Sequence, residues 1–273
     1  MSKWLEVTLP SPPEALEELS VALIAEGFES FQTEDAGIIL YLPEDAAGDL
    51  RRLRGLCPPL TARTRDEEEW SDAWKQYYKP TPIGNRLLIQ PAWLPMENPE
   101  GRAVYLNDPG MSFGTGLHPS TRLCLEMLET LDLPGKRVLD VGCGSGILAL
   151  CALILGAESA AGVDIDPNAA RTAEANARLN GVEGRFAARA GDFLTDRALR
   201  DSVKPFDVVF SNIIADVIIP LVPVLAPSGA LWVASGVIEN RLDDVLTAAE
   251  DCGLCIRSVR TESGWAAVMF GRP

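Results

Sequence analysis

The spacing of apolar residues changes along this chain, and the changes divide it. Residues 3–9 alternate, with Leu5, Val7 and Leu9 set against Glu6 and Thr8, and the run stops at Pro10. That is the pattern of a half-buried strand. Pro12 and Pro13 lead into 14–26, where Ala15, Leu16, Leu19 and Leu23 share one face and Gly27 closes the stretch, predicting a helix. Strands are expected at 28–33 and 37–42 around a turn at 34–36, then a helix at 46–56 and a strand at 60–65. The order βαββαβ predicts a small α+β ferredoxin-like domain over residues 1–65. It has no glycine loop or paired carboxylates, so recognition rather than chemistry is its expected role.

The period then turns helical. Trp70, Trp74, Tyr77 and Tyr78 fall on one face behind an acidic start, which predicts a helix over 66–78. Lys79-Pro80-Thr81-Pro82 ends it, and 66–80 reads as a linker helix. From 81 to 273 strands and helices alternate. Strands are expected at 86–90, 103–106, 138–141, 159–163, 185–188, 206–210, 231–235, 255–260 and 265–270. Helices are expected at 121–131, 147–155, 167–180, 217–225 and 241–252. The last seven strands predict a mostly parallel, Rossmann-like α/β sheet. Its final two strands, joined without a helix, should form an antiparallel edge hairpin.

Composition narrows the setting. The 273 residues suffice for two domains, and 47% are hydrophobic, ample for two cores. No run of about 18 uninterrupted apolar residues occurs, so no membrane span is expected. Met1 to Glu6 lacks a signal-peptide start, which points to the cytoplasm. The net charge of −15 disfavours a grip on bare nucleic acid and suits a basic protein partner. Six cysteines are scattered in the manner of reduced thiols. Cys252 and Cys255 form one C-x-x-C pair, with Gly253 as a helix stop. With a single histidine in the chain, no zinc ligand set is available, and a buried structural role is expected for the pair.

The candidate chemistry centres on Val138-Leu139-Asp140-Val141-Gly142-Cys143-Gly144-Ser145-Gly146. An apolar strand, a glycine turn and the apolar stretch from Ile147 place a helix N-terminus at a cofactor-sized gap. A dinucleotide fingerprint needs glycine where Ile147 stands. Asp164, at the end of the next strand, is placed to accept hydrogen bonds from ribose hydroxyls. Asp192 follows the third strand, where it could reach an adenine amine. Asn212 follows the fourth, where its side-chain oxygen can accept from an amine nucleophile. The segment 107–122 is rich in turn-forming residues and holds His118, and it is placed to fold over a cofactor as a lid.

The runs Asp108-Pro109-Gly110-Met111-Ser112-Phe113-Gly114-Thr115-Gly116-Leu117-His118-Pro119-Ser120-Thr121, Gly142-Cys143-Gly144-Ser145-Gly146, Asp164-Ile165-Asp166-Pro167 and Asn212-Ile213 together resemble the bacterial methyltransferases of large-subunit ribosomal protein L-eleven (L11), the PrmA family. Glu69-Trp70-Ser71-Asp72-Ala73-Trp74 shares the resemblance, which covers nearly the whole chain. Leu117 departs from it, standing where relatives often carry a polar residue. The resemblance implies a class I fold that uses S-adenosyl-L-methionine to methylate lysine side chains and the N-terminal amine of L11. It implies cofactor contacts at Thr121, Gly142, Asp164 and Asn212, to which the glycine turn adds Gly144. Asn212 is the expected catalytic residue, with no metal. The small domain would recognise substrate and the linker helix would let the catalytic domain reach several amines. A monomer that makes no direct nucleic-acid contact is expected. The alternatives are an amine methyltransferase for another basic protein or for RNA, a nicotinamide oxidoreductase disfavoured by Ile147, and a module that binds the cofactor without turnover.

Overall fold

The computed structural model of the chain describes residues 3–272 apart from 13–14, 26–27, 29–30, 35–36, 44–45, 58, 67–78, 96–97, 99 and 109–117. Two compact units divide it, Met1–Tyr78 and Lys79–Pro273.

The first unit runs β1 (Lys3–Pro10), α1 (Leu16–Ala25), β2 (Phe31–Glu34), β3 (Gly37–Pro43), α2 (Ala47–Leu56), β4 (Thr61–Asp66). Its sheet has the order β2-β3-β1-β4, antiparallel throughout, which is the order expected of a ferredoxin-like domain. Val7 and Leu9 of β1, Ile38, Leu40 and Leu42 of β3, Leu23 of α1 and Leu53 of α2 form its core. One departure is at the boundary. Asp66, expected to open the linker helix, pairs with Lys3 at the end of β4. The remainder of that helix, including the aromatic stripe, lies outside the described residues.

The second unit begins with a small sheet of β5 (Thr81–Ile83), β6 (Leu87–Pro91) and β7 (Ala103–Asn107). β5 was not expected, because Pro80 and Pro82 read as breakers. It is an edge strand pairing only with β6, where a missing N–H is tolerated. α3 (Pro119–Leu128) follows, then β8 (Arg137–Val141), α4 (Ile147–Ile154), β9 (Ser159–Asp164), α5 (Pro167–Leu179), β10 (Phe186–Ala190), α6 (Arg197–Ser202), β11 (Val208–Asn212), α7 (Ala215–Leu225), β12 (Leu231–Ile238), α8 (Leu242–Asp251), β13 (Cys255–Glu262) and β14 (Trp265–Gly271). α6 was also missed. It is short, capped by Asp196 through Leu199 N–H, and buries only Leu199, too little to show as a periodic pattern.

The large sheet has the order β10-β9-β8-β11-β12-β14-β13. β8 to β12 are parallel neighbours, and β14 runs antiparallel to both β12 and β13, forming the expected edge hairpin. Alternate strand residues enter opposite layers. Val138, Phe210 and Val233 join one core with Leu123, Leu148 and Cys151. Leu139, Val209 and Trp232 join the other with Ile218, Leu221 and Val245. The chain leaves β8 toward β9 on one side and later returns to β11 on the other. The crevice between the carboxyl ends of β8 and β11 is therefore the switch point where such sheets bind ligands. At the opposite end, Asp207 accepts from Arg137 Nε and Nη2, each at 2.9 Å. This bidentate fork pins β11 beside β8 and holds the Asp207 carboxyl down to about 2.

Candidate active site

β8 delivers the glycine turn to that crevice. Gly142, Gly144 and Gly146 have φ of 75°, 52° and 81°, a region that side chains disfavour. The turn is stitched from within. Gly142 and Cys143 N–H both donate to Val163 O, at 2.8 and 3.1 Å, and Gly146 N–H donates to Cys143 O at 2.7 Å. Gly144 N–H donates to Asp164 Oδ2 at 2.8 Å. With these donors occupied and two carboxylates nearby, the turn is not a cradle for a pyrophosphate. Its field favours a cation.

The second carboxylate is Asp140, a side chain within an apolar strand and fully buried. Oδ2 accepts from Ala149 N–H at 3.3 Å, while Oδ1 finds no partner among the described residues. Burial, aided by the charge of Asp164, pushes its carboxyl up to about 7. The groups around it, Tyr105, Cys124, Cys143 and Cys151, are all driven upward by burial and are neutral. Among these buried groups, Asp140 is the one that titrates near neutrality.

Asp164 ends β9. Its Oδ1 accepts from Asp166 N–H at 3.0 Å, so each carboxylate oxygen holds one backbone donor and retains capacity for another. Beside it, Ile165 is 75% exposed, an apolar surface at the mouth of the crevice.

Across the crevice, β11 carries Asn212 at its last position, two residues beyond the expected strand. Asn212 Nδ2 donates to Thr121 Oγ1 at 3.0 Å. Thr121 itself is buried on the first turn of α3. Ser235 Oγ reaches Ser120 O at 3.1 Å and Ala266 O at 2.9 Å, tying the start of α3 to β12 and β14. His118 is the N-cap. Its Nδ1 accepts from Ser120 N–H at 3.3 Å and lies 2.8 Å from Ser120 Oγ, and its ring meets Trp265 edge-on at 4.6 Å. Partial burial lowers its pKa. The expected helix start at Thr121 was therefore two residues late: Pro119 occupies the first turn, where proline is favoured.

The protein-family model described as Ribosomal protein L11 methyltransferase (PrmA) matches residues 46–273. The chain belongs to this family. It is 38% identical to the ribosomal protein L11 methyltransferase of Pelotomaculum thermopropionicum, across 97% of this chain and 98% of that one. It is 36% identical to that of Chloroflexus aurantiacus, across 100% and 99%. A crystal structure of ribosomal protein L11 methylase from Lactobacillus delbrueckii subsp. bulgaricus superposes with a TM-score of 0.65 at 28% identity, covering 71% of this chain and 99% of that one.

The remaining candidates are placed as follows. Asp192 Oδ1 accepts from Leu194 N–H at 2.9 Å and Oδ2 from Thr195 Oγ1 at 2.7 Å, so it caps a turn after β10. The loop expected as a lid lies outside the described residues from 109 to 117. Cys252 is exposed at the end of α8 and Cys255 half-buried in β13, both as free thiols. The expected burial of this pair fails at Cys252, because the Gly253 stop turns that position outward. Among the described residues no three of His, Cys, Asp or Glu are grouped to hold a metal, and no helix is long and apolar enough to cross a membrane. Asp140 was read from the sequence as the carboxylate preceding the glycine turn, with no role of its own assigned. Its signal was a lone carboxylate in the strand Val138-Leu139-Asp140-Val141.

Proposed function

We propose that this protein transfers methyl groups from S-adenosyl-L-methionine to amines of ribosomal protein L11. The observation that carries the reading is Asn212, held by Thr121 at the carboxyl end of β11, across the switch point from the glycine turn. The donor set fits a cationic cofactor. The Oδ1 of Asp140, without a partner among the described residues, and the spare acceptors of Asp164 suit an ammonium and ribose hydroxyls, and Ile165 offers an apolar face to adenine. In this reading the methionine tail lies over the turn, beside Gly142 and Gly144. When bound, the cofactor supplies an electrophilic methyl group on a sulfonium.

The chain's task is then to present a neutral amine in line with that methyl. A lysine amine, ordinarily near pKa 10.4, must lose a proton first. An apolar, desolvated entry favours the neutral form. Because Thr121 Oγ1 takes the Nδ2 donor, Asn212 Oδ1 is the atom presented to the incoming N–H, aiming the nitrogen lone pair at the methyl. Water serves as the proton acceptor in this reading. The charge of −15 draws in a basic protein, and the first unit, residues 1–65 in our reading, recognises it. The linker helix and lid belong to the same reading, as do a cytoplasmic location and a monomeric state, which light scattering would test.

Single-turnover methyl transfer in Asn212→Ala tests the assignment. Transfer should fall by about 100-fold or more, the usual loss when a transition-state hydrogen bond is removed, while calorimetric affinity for S-adenosyl-L-methionine changes far less. An equal fall in both would make Asn212 only a binding residue. Asp164→Ala should chiefly weaken cofactor binding, and an unchanged affinity would defeat that assignment.

A further inference from the structure

The peptide that follows Asn212 is gripped by two glycines distant in sequence. Gly236 sits at the bulge where the register of β12 against β14 shifts between Ser235 and Val237, with φ of 81°. A Cβ there would lie 2.6 Å from Ile213 O, 2.7 Å from Ile213 N and 2.9 Å from Ile213 C. All three are backbone atoms, so the collision cannot be relieved by swinging a side chain away. On the other side, the Ile213 side chain fills the space that a Cβ on Gly142 would need, with Cγ2 as the nearest atom. Ile213 N–H donates to Ser235 O at 3.0 Å. The side chain of Asn212 is fixed separately, through Thr121 on α3.

We infer that Gly236 and Ile213 are positioning residues for Asn212. The missing side chain at Gly236 lets the Ile213 backbone settle against the β12 bulge. Ile213 then rests on Gly142, which sets the spacing between Asn212 and the cofactor turn. This rests on the reading of Asn212 as the group that aims the amine. Alanine at 236 would push the peptide outward by most of an ångström to reach ordinary contact, and a misplacement of that size costs in-line transfer about 10-fold or more.

The test pairs Gly236→Ala with Gly253→Ala. Gly253 also has a left-handed φ, 74°, but nothing lies within 4 Å of its added Cβ. Both variants carry the same kind of backbone strain, and only one collides. With saturating S-adenosyl-L-methionine and recombinant L11, kcat should fall about 10-fold or more in Gly236→Ala. Calorimetric cofactor Kd should move by less than about threefold, and Gly253→Ala should keep the wild-type kcat. If Gly236→Ala does not fold, Ile213→Ala carries the test, since it keeps the backbone and removes Cγ2. Its kcat should fall by about threefold or more. A Gly236→Ala enzyme no slower than Gly253→Ala, or an Ile213→Ala enzyme at wild-type kcat, overturns the inference while leaving the function intact. Wild-type turnover in Asn212→Ala overturns the Asn212 reading, and this inference with it.

Discussion

Asp140 shows how one residue couples the fold to the cofactor site. A buried carboxyl with an oxygen that has no partner among the described residues is costly as an anion, and its pKa, pushed up to about 7, reflects that cost. An unfolded aspartate releases its proton near pH 4, whereas the native protein keeps it until about pH 7. The stability that neutral Asp140 contributes is therefore complete below pH 4 and lost as pH rises toward 7, by about 1.4 kcal/mol per pH unit. Asp140→Asn has no such proton. Denaturation midpoints at pH 5 and pH 7.5 should drop more in wild type than in this variant, and parallel drops would contradict the account. Asn212 was legible in the sequence because a polar residue closing an apolar strand marks the carboxyl edge of a parallel sheet. Its partnership with Thr121 was not, because a contact across 91 residues leaves no local pattern.

Among the elements, α3 is tied at both of its ends. Its N-terminal turn holds Thr121 against Asn212, and its C-cap Glu129 accepts from Asn85, Arg86 and Leu87 N–H, each at 2.8 Å. That carboxylate clamps the β5–β6 turn to the helix. Glu129→Ala would return the exposed Asn85 and Arg86 N–H groups to water and leave the part-buried Leu87 N–H without its acceptor, and should cost about 1–2 kcal/mol, read as a lower denaturation midpoint. A shift within about 0.5 kcal/mol would show that water replaces the clamp. The core strands and α4, α5 and α8 were legible because each is a periodic or apolar run between turn residues. β5 and α6 were not, since one is held by an edge pairing and the other by a cap. His118, expected within a lid segment, is placed by the structure at the N-cap of α3, beside Trp265.

At the scale of the molecule, the parallel sheet brings the glycine turn, Asp164 and Asn212 to one edge, and the chain as a whole carries a net charge of −15. Attraction between that charge and a basic substrate is screened beyond about 8 Å at physiological ionic strength. kcat/KM for L11 should therefore fall as salt rises from 50 to about 300 mM, with kcat nearly constant. A salt-independent kcat/KM would show that charge keeps the protein in solution and does not steer its partner. Methylation of ribosomal protein L11 in this crevice is read out by intact-mass spectrometry. Recombinant L11 incubated with the protein and S-adenosyl-L-methionine should gain mass in methyl-sized steps, and Asn212→Ala should leave it unchanged over the same time. An L11 mass that stays fixed under the wild-type protein, with cofactor binding verified by calorimetry, would contradict the claim.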